Sequence, residues 1–87
     1  SALFASGAKP VWSAQIGAFR TELSAQQTAA HAEMMLSEGR VSHPVRIVQD
    51  GALYRVLVGK SADAQSARNT ARIVGEILGQ KAFAIFK

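Results

Sequence analysis

The sequence predicts a single α+β domain, one antiparallel sheet with two helices on the same face. Three observations lead there. The chain reads twice: shifted by 42 residues without a gap, Val11-Trp12-Ser13-Ala14-Gln15-Ile16-Gly17 falls on Leu53-Tyr54-Arg55-Val56-Leu57-Val58-Gly59. The same shift carries Ser24-Ala25 onto Ser66-Ala67, Thr28-Ala29 onto Thr70-Ala71 and Met35-Leu36 onto Ile77-Leu78. Each copy passes from a β-branched and aromatic run into an alanine-rich stretch, which marks a strand followed by a helix. Asp50-Gly51 adds a tight hairpin signal between two apolar runs. Two copies are too few for a stacked repeat array, so they describe one duplicated domain with internal pseudo-symmetry.

The first strand begins at Val11. Alternation places Trp12, Ala14, Ile16 and Ala18 on one face and Ser13, Gln15 and Gly17 on the other. Thr21 is positioned to cap a helix running to about Glu38, with Glu22 favoured by the dipole in its first turn. Ala25, Ala29, Ala32 and Leu36 form its single apolar stripe, and Gly39 is its natural C-cap. Pro44 opens a second strand over 45–49, and the hairpin leads into a third over 53–58. Asp63 caps a second helix with the stripe Ala67, Ala71, Val74 and Leu78, each 42 beyond its partner in the first. Gly79 ends that helix, and residues 82–86 read as a closing strand. The order β-α-β-β-α-β, with right-handed crossovers and a central hairpin, gives the ferredoxin-like arrangement: a four-stranded antiparallel sheet of order 4-1-3-2. Trp12, Tyr54, Ile16, Val56 and Val58 are expected to fill the core, both rings on the helix-facing side.

Composition bounds the function. The 87 residues are 48% hydrophobic with two prolines, which suits one globular domain. Ten Lys and Arg against six Asp and Glu give +4, favouring anionic partners such as nucleic acid, anionic lipid or an acidic polysaccharide. There are no cysteines and no apolar run near the ~20 residues of a membrane span, so no membrane insertion is expected in this segment. Residues 1–10 lack the basic and apolar regions of a signal peptide and read as a linker or an expression remnant, with the domain proper over 11–87.

Function is expected on the face without helices. There alternation gathers Ser13, Gln15 and Gly17 from the first strand, Leu53, Arg55 and Leu57 from the third, and Arg46 with Val48 from the second. Apolar patches beside amide and guanidinium donors suit a sugar, whose rings have apolar faces and hydroxyl edges. A solvated sheet face also occurs without any ligand. An RNA-binding module of this topology would stack bases on exposed aromatics, but Tyr54 falls on the core side and the aromatic-glycine signature is missing. An acylphosphatase-like enzyme would match Gly17-Ala18-Phe19-Arg20 but needs an asparagine on the central strands, and Asn69 lies in the second helix. His31 and His43 stand apart from carboxylates, and no phosphate-cradling loop occurs, so no metal, cofactor or catalytic residue is expected. Met34-Met35 reads as the edge of the core.

Gln15-Ile16-Gly17-Ala18-Phe19, Ala25 in a helix, Gly39, Pro44-Val45 and Leu53-Tyr54-Arg55-Val56-Leu57-Val58-Gly59 together resemble the SPOR domain, the sporulation-related repeat, from about Val11 to Lys87. The resemblance implies a bacterial cell-envelope module that binds peptidoglycan glycan strands lacking stem peptides and targets its parent protein to the division septum. It implies no catalysis within the module and no nucleic-acid partner, and leaves room for division or cell-wall proteins as further partners. By the same resemblance the family's strand-one glutamine corresponds to Gln15, its strand-three arginine to Arg55, the small residue after its glycine to Ala18, and the position before its tyrosine to Leu53. The candidate glycan contacts are therefore Ser13, Gln15, Gly17, Ala18, Arg46, Leu53, Arg55 and Leu57. Ala14, Lys60 and Leu57 depart from the family's usual Val, Pro and basic residue. Arg55, with Arg46 or Arg20, would pair a lactyl carboxylate, Gln15 an acetamido group, and Leu53 and Leu57 the sugar CH faces. The competing expectation is a protein-interaction module of an envelope protein using the same free face.

Overall fold

Local signals set the helices where the sequence places them. In the computed structural model, residues 9–87 and the backbone of Leu3–Phe4 are described, so the expected linker over 1–10 lies largely outside the described residues. The elements are β1 (Leu3–Phe4), β2 (Trp12–Phe19), α1 (Glu22–Glu38), β3 (Val45–Asp50), β4 (Leu53–Ser61), α2 (Ala64–Leu78) and β5 (Phe83–Phe86). The Thr21 side chain accepts from the Ser24 amide and the Asp63 side chain from the Ser66 amide, each holding a free N–H of the first turn. The sheet runs β1-β3-β4-β2-β5; its four antiparallel strands follow the expected 4-1-3-2 order, and Leu3–Phe4 pairs parallel with β3 at one edge.

Small side chains let the helices lie close on the sheet. Ala25, Ala29, Ala32 and Leu36 of α1 and Ala67, Ala71 and Val74 of α2 are buried, with Leu78 packed at the margin. They meet Ala14, Ile16, Val45, Ile47, Val56 and Val58 of the sheet. Gly75 makes the closest approach: a Cβ there would stand 2.7 Å from the Gln80 carbonyl oxygen, so the chain leaving α2 folds back against the helix backbone.

The end of α1 departs from expectation in one respect. Gly39 is the C-cap residue but keeps right-handed dihedrals (φ −77°), and the left-handed position falls on Arg40 (φ 59°). Amides of Arg40 and Val41 donate to the carbonyls of Ser37 and Leu36 and close the helix there. A side chain in that conformation costs ~1–2 kcal/mol, against ~0.5–1 kcal/mol of extra chain entropy for glycine. Arg40→Gly should therefore stabilise the domain by roughly 0.5–1 kcal/mol, read as a rise in Tm; an unchanged or lower Tm would refute this reading of the turn.

Two irregularities shape the central pair. Gln15 pairs Leu57 but Gly17 pairs Val56, so Ile16 is an extra residue in β2. Trp12 pairs Ser61 while Ala14 pairs Val58, which puts the second bulge at Gly59 (φ 77°) and Lys60 of β4. Gly17 and Gly59 are 42 apart, so each half of the repeat has an irregularity next to or at the equivalent glycine. Gln15 and Leu57 are also repeat equivalents, and they pair with each other, so the pseudo-twofold axis passes between them. The unpaired Ile16 carbonyl accepts from Gln80 Nε2 at 2.6 Å.

The bulge corrects the strand phase beyond Ile16. Gly17 turns to the helix side, where a Cβ would meet the Phe19 ring at 2.8 Å, and Ala18 turns to the free face opposite Arg55. Phe19 and Tyr54 pack on the margin of the core. Trp12 lies on the helix side as expected but does not fill the core. It is half-buried at the rim, 5.4 Å from the Phe86 ring between centroids.

Candidate functional site

Strand pairing sets out the helix-free face in rows. Arg46, Leu57 and Gln15 stand side by side across β3, β4 and β2; Val48, Arg55 and Ala18 form the next row; Asp50 and Leu53 flank the hairpin. The polar members are joined. The Ser13 hydroxyl donates to the Gly59 carbonyl at 2.8 Å, and Arg46 Nη2 donates to Ser13 Oγ and to the main-chain oxygen of Lys87, both at 2.8 Å. Lys87 then reaches along the face, its Nζ 2.8 Å from Asp50 Oδ2. Arg55 completes the frame, donating through Nε to the same Asp50 oxygen at 2.9 Å and through Nη1 to Gln15 Oε1 at 3.1 Å.

This frame corrects the expectation of an open face. Ser13, Gln15, Arg46 and Leu57 are each no more than 6% exposed. Arg46 has to cross β4 to reach Ser13, and Leu57 lies in the middle of the frame. Burial lowers the Arg46 pKa without discharging the group, and its Nε is buried with no hydrogen-bond partner. The expected contacts thus divide. Ser13, Arg46 and Leu57 brace the face and Gln15 anchors Arg55, while Ala18 is exposed and Leu53 and Arg55 are partly exposed beside the hairpin. Gly17 belongs to the other side of the sheet.

Asp50 and Lys87 are the residues sequence reasoning missed. Asp50 serves as a turn residue, and that role hides its second one. Lys87 is placed by β5, whose last link is the Lys87 amide donating to the Val11 carbonyl. Hydrogen bonds from Lys87 and then Arg55 hold the Asp50 carboxyl below its ordinary pKa. A depressed carboxylate contributes stability that is present above its unfolded pKa, about 3.9, and lost as pH falls through the lower folded value. Acid titration followed by NMR should release the Arg55 Nε–H and Lys87 together below about pH 4. Release of either alone at neutral pH would show that Asp50 does not join them.

The arrangement can present a half-open guanidinium to an oxygen ligand. Arg55 donates internally through Nε and Nη1, and its side chain, opposite Ala18 in the register, remains 23% exposed. Among the described residues no group of His, Cys, Asp or Glu could hold a metal ion, and no helix is long and apolar enough to cross a membrane.

The SPOR domain family model matches residues 8–85, nearly the whole chain. The chain is a SPOR domain. No curated protein matches it significantly. Its fold is similar to the solution structure of the peptidoglycan binding domain of the B. subtilis cell wall lytic enzyme CwlC. The TM-score is 0.59 at 21% identity, covering 94% of this chain and 95% of that one. In this SPOR domain the expected strand-one glutamine and strand-three arginine are hydrogen-bonded to each other, so they work as one unit.

Proposed function

We propose that this SPOR domain is a non-catalytic module that binds peptidoglycan of the bacterial cell envelope. In this reading it prefers glycan strands stripped of stem peptides and so carries a parent protein to the division septum. Family membership supports the ligand class, as does the peptidoglycan binding of the CwlC domain of the same fold. The observation that carries the finer reading is the Arg55 guanidinium, held by Gln15 and Asp50 and still partly open beside Leu53 and Ala18.

The chemistry follows from what stem removal does to the strand. An attached stem peptide ties up each lactyl carboxyl as an amide, and its removal leaves a carboxylate. Arg55 and Lys87 against Asp50 leave this end of the face with a net positive charge, and an arginine edge matches a carboxylate. Leu53 offers an apolar surface to a sugar ring. Each contact is partly solvated, so affinity accumulates over several sugars rather than at one.

Binding to purified sacculi, measured before and after amidase treatment, tests this. Treated sacculi should retain more protein, and added salt should remove part of the binding, since charge contacts are screened over ~8 Å at physiological ionic strength. Equal retention on both kinds of sacculi would exclude the preference for stripped strands and favour a protein partner on this face.

A further inference from the structure

The opposite edge of the sheet carries a second surface that the glycan reading does not use. β5 is the edge strand beyond β2, and nothing among the described residues pairs with its outer side. The Lys87 amide bonded to the Val11 carbonyl fixes the phase of the ladder. In antiparallel alternation Ile85 and Phe83 turn their main-chain groups toward β2, while Ala84 and Phe86 turn theirs outward. Phe83 and Phe86 on this short strand are 57% and 54% exposed, unusual for two aromatics on one edge.

Between β5 and α2 runs an open groove, in two stretches of about 720 and 630 Å³, whose lining includes Trp12 and Phe83 together with Arg68, Arg72 and Lys81. The one carboxylate in its lining, Glu76, makes only a 3.7 Å exposed contact with Arg72, and the groove stays positive.

We infer that this edge is a docking site for an extended acidic peptide segment of another protein, added as a strand alongside β5. The unpaired main-chain groups at Ala84 and Phe86 match the donor and acceptor spacing of a polypeptide. Register sets Phe83 opposite Gln15 on the helix-free face and Phe86 opposite Trp12 on the helix side, so Phe83 receives the apolar side chains of one face of the strand, while Arg68, Arg72 and Lys81 take the carboxylates of the other. A second copy of this chain is disfavoured because it would bring two basic grooves together. A nucleic acid would satisfy the cations and leave the strand edge unpaired.

The probe is a capped peptide alternating glutamate and valine, titrated into the nitrogen-15-labelled domain. Hydrogen exchange should slow at the Ala84 and Phe86 amides. Binding should fall at least tenfold for a lysine–valine peptide and for the double variant Arg72→Glu, Lys81→Glu, both at exposed positions. Ala84→Pro removes an outward N–H that the β2 ladder does not use, so it should abolish binding with a Tm near that of the parent. Should that variant unfold, the charge reversal still decides. No slowing at the two amides, equal binding of the lysine peptide, slowing produced by raised protein concentration alone, or tighter binding of oligodeoxythymidine in the groove would each overturn the inference.

Discussion

Gly75→Ala is expected to destabilise the domain, although alanine is the better helix former. The helix itself would gain about 1 kcal/mol. Against that, the new methyl would lie 2.7 Å from the Gln80 carbonyl oxygen and 3.7 Å from the Ala82 amide nitrogen, main-chain atoms that no rotamer change can move aside. The Gln80 amide also donates to the Gly75 carbonyl at 3.0 Å, so the chain cannot back away without losing that bond. Overpacking of this kind costs roughly 1–3 kcal/mol, and moving residues 80–82 also pulls Gln80 from the Ile16 carbonyl. The net loss should be about 1–2 kcal/mol, a fall in Tm of roughly 4–15 °C for a domain of this size. Gly79→Ala is the control: nothing lies within 4 Å of its Cβ position, so its cost comes from φ 68° alone and β5 amide shifts should stay unchanged. A Gly75→Ala domain melting at or above the parent would show that the crossing has room to spare.

Arg55→Ala should reduce binding to stripped glycan strands by tenfold or more, and it should also cost stability. An exposed strand position would tolerate the change within ~0.5 kcal/mol. Here, however, Gln15 Oε1 loses its donor in a buried setting, which costs ~1–3 kcal/mol, and Asp50 is left to Lys87 alone. Binding is therefore compared well below the lowered Tm. Arg55→Lys should not restore it, because a single ammonium cannot serve Asp50, Gln15 and a ligand from three edges. Undiminished binding by Arg55→Ala would remove the guanidinium from the site.

Most of the fold was legible because its signals are local. Thr21 and Asp63 cap, alanine stripes recur at helical spacing, and Asp50-Gly51 turns, all within a few residues of where they act. Alternation failed at Ile16 because a bulge is settled by distant partners, here Gln80 on its carbonyl and the core drawing Phe19 inward. Phe19 carried a signal: an aromatic out of phase with Ala14 and Ile16 calls for one extra residue between them. The resemblance had Ala18 on the correct face where alternation did not. Trp12 stays at the rim because it opens β2, where the helices give less cover. Burial of Ser13, Gln15 and Arg46 was not legible, since Gly59, Arg55 and Lys87, the groups that hold them, lie far away in the sequence.

The pseudo-twofold axis between Gln15 and Leu57 has a consequence for direction. A face symmetric in chemistry as well as in backbone would accept a polymer equally well in either orientation. Here rotation about the axis exchanges an amide for an aliphatic group, Gln15 for Leu57, and a guanidinium for a hydroxyl, Arg55 for Ser13. Duplication supplied a frame without a head or a tail, and divergence of the two copies gave it both. On the proposed reading, a glycan strand, whose reducing and non-reducing ends differ, would lie across this face with one polarity. A parent protein tethered to the domain would then be held pointing one way along the strand.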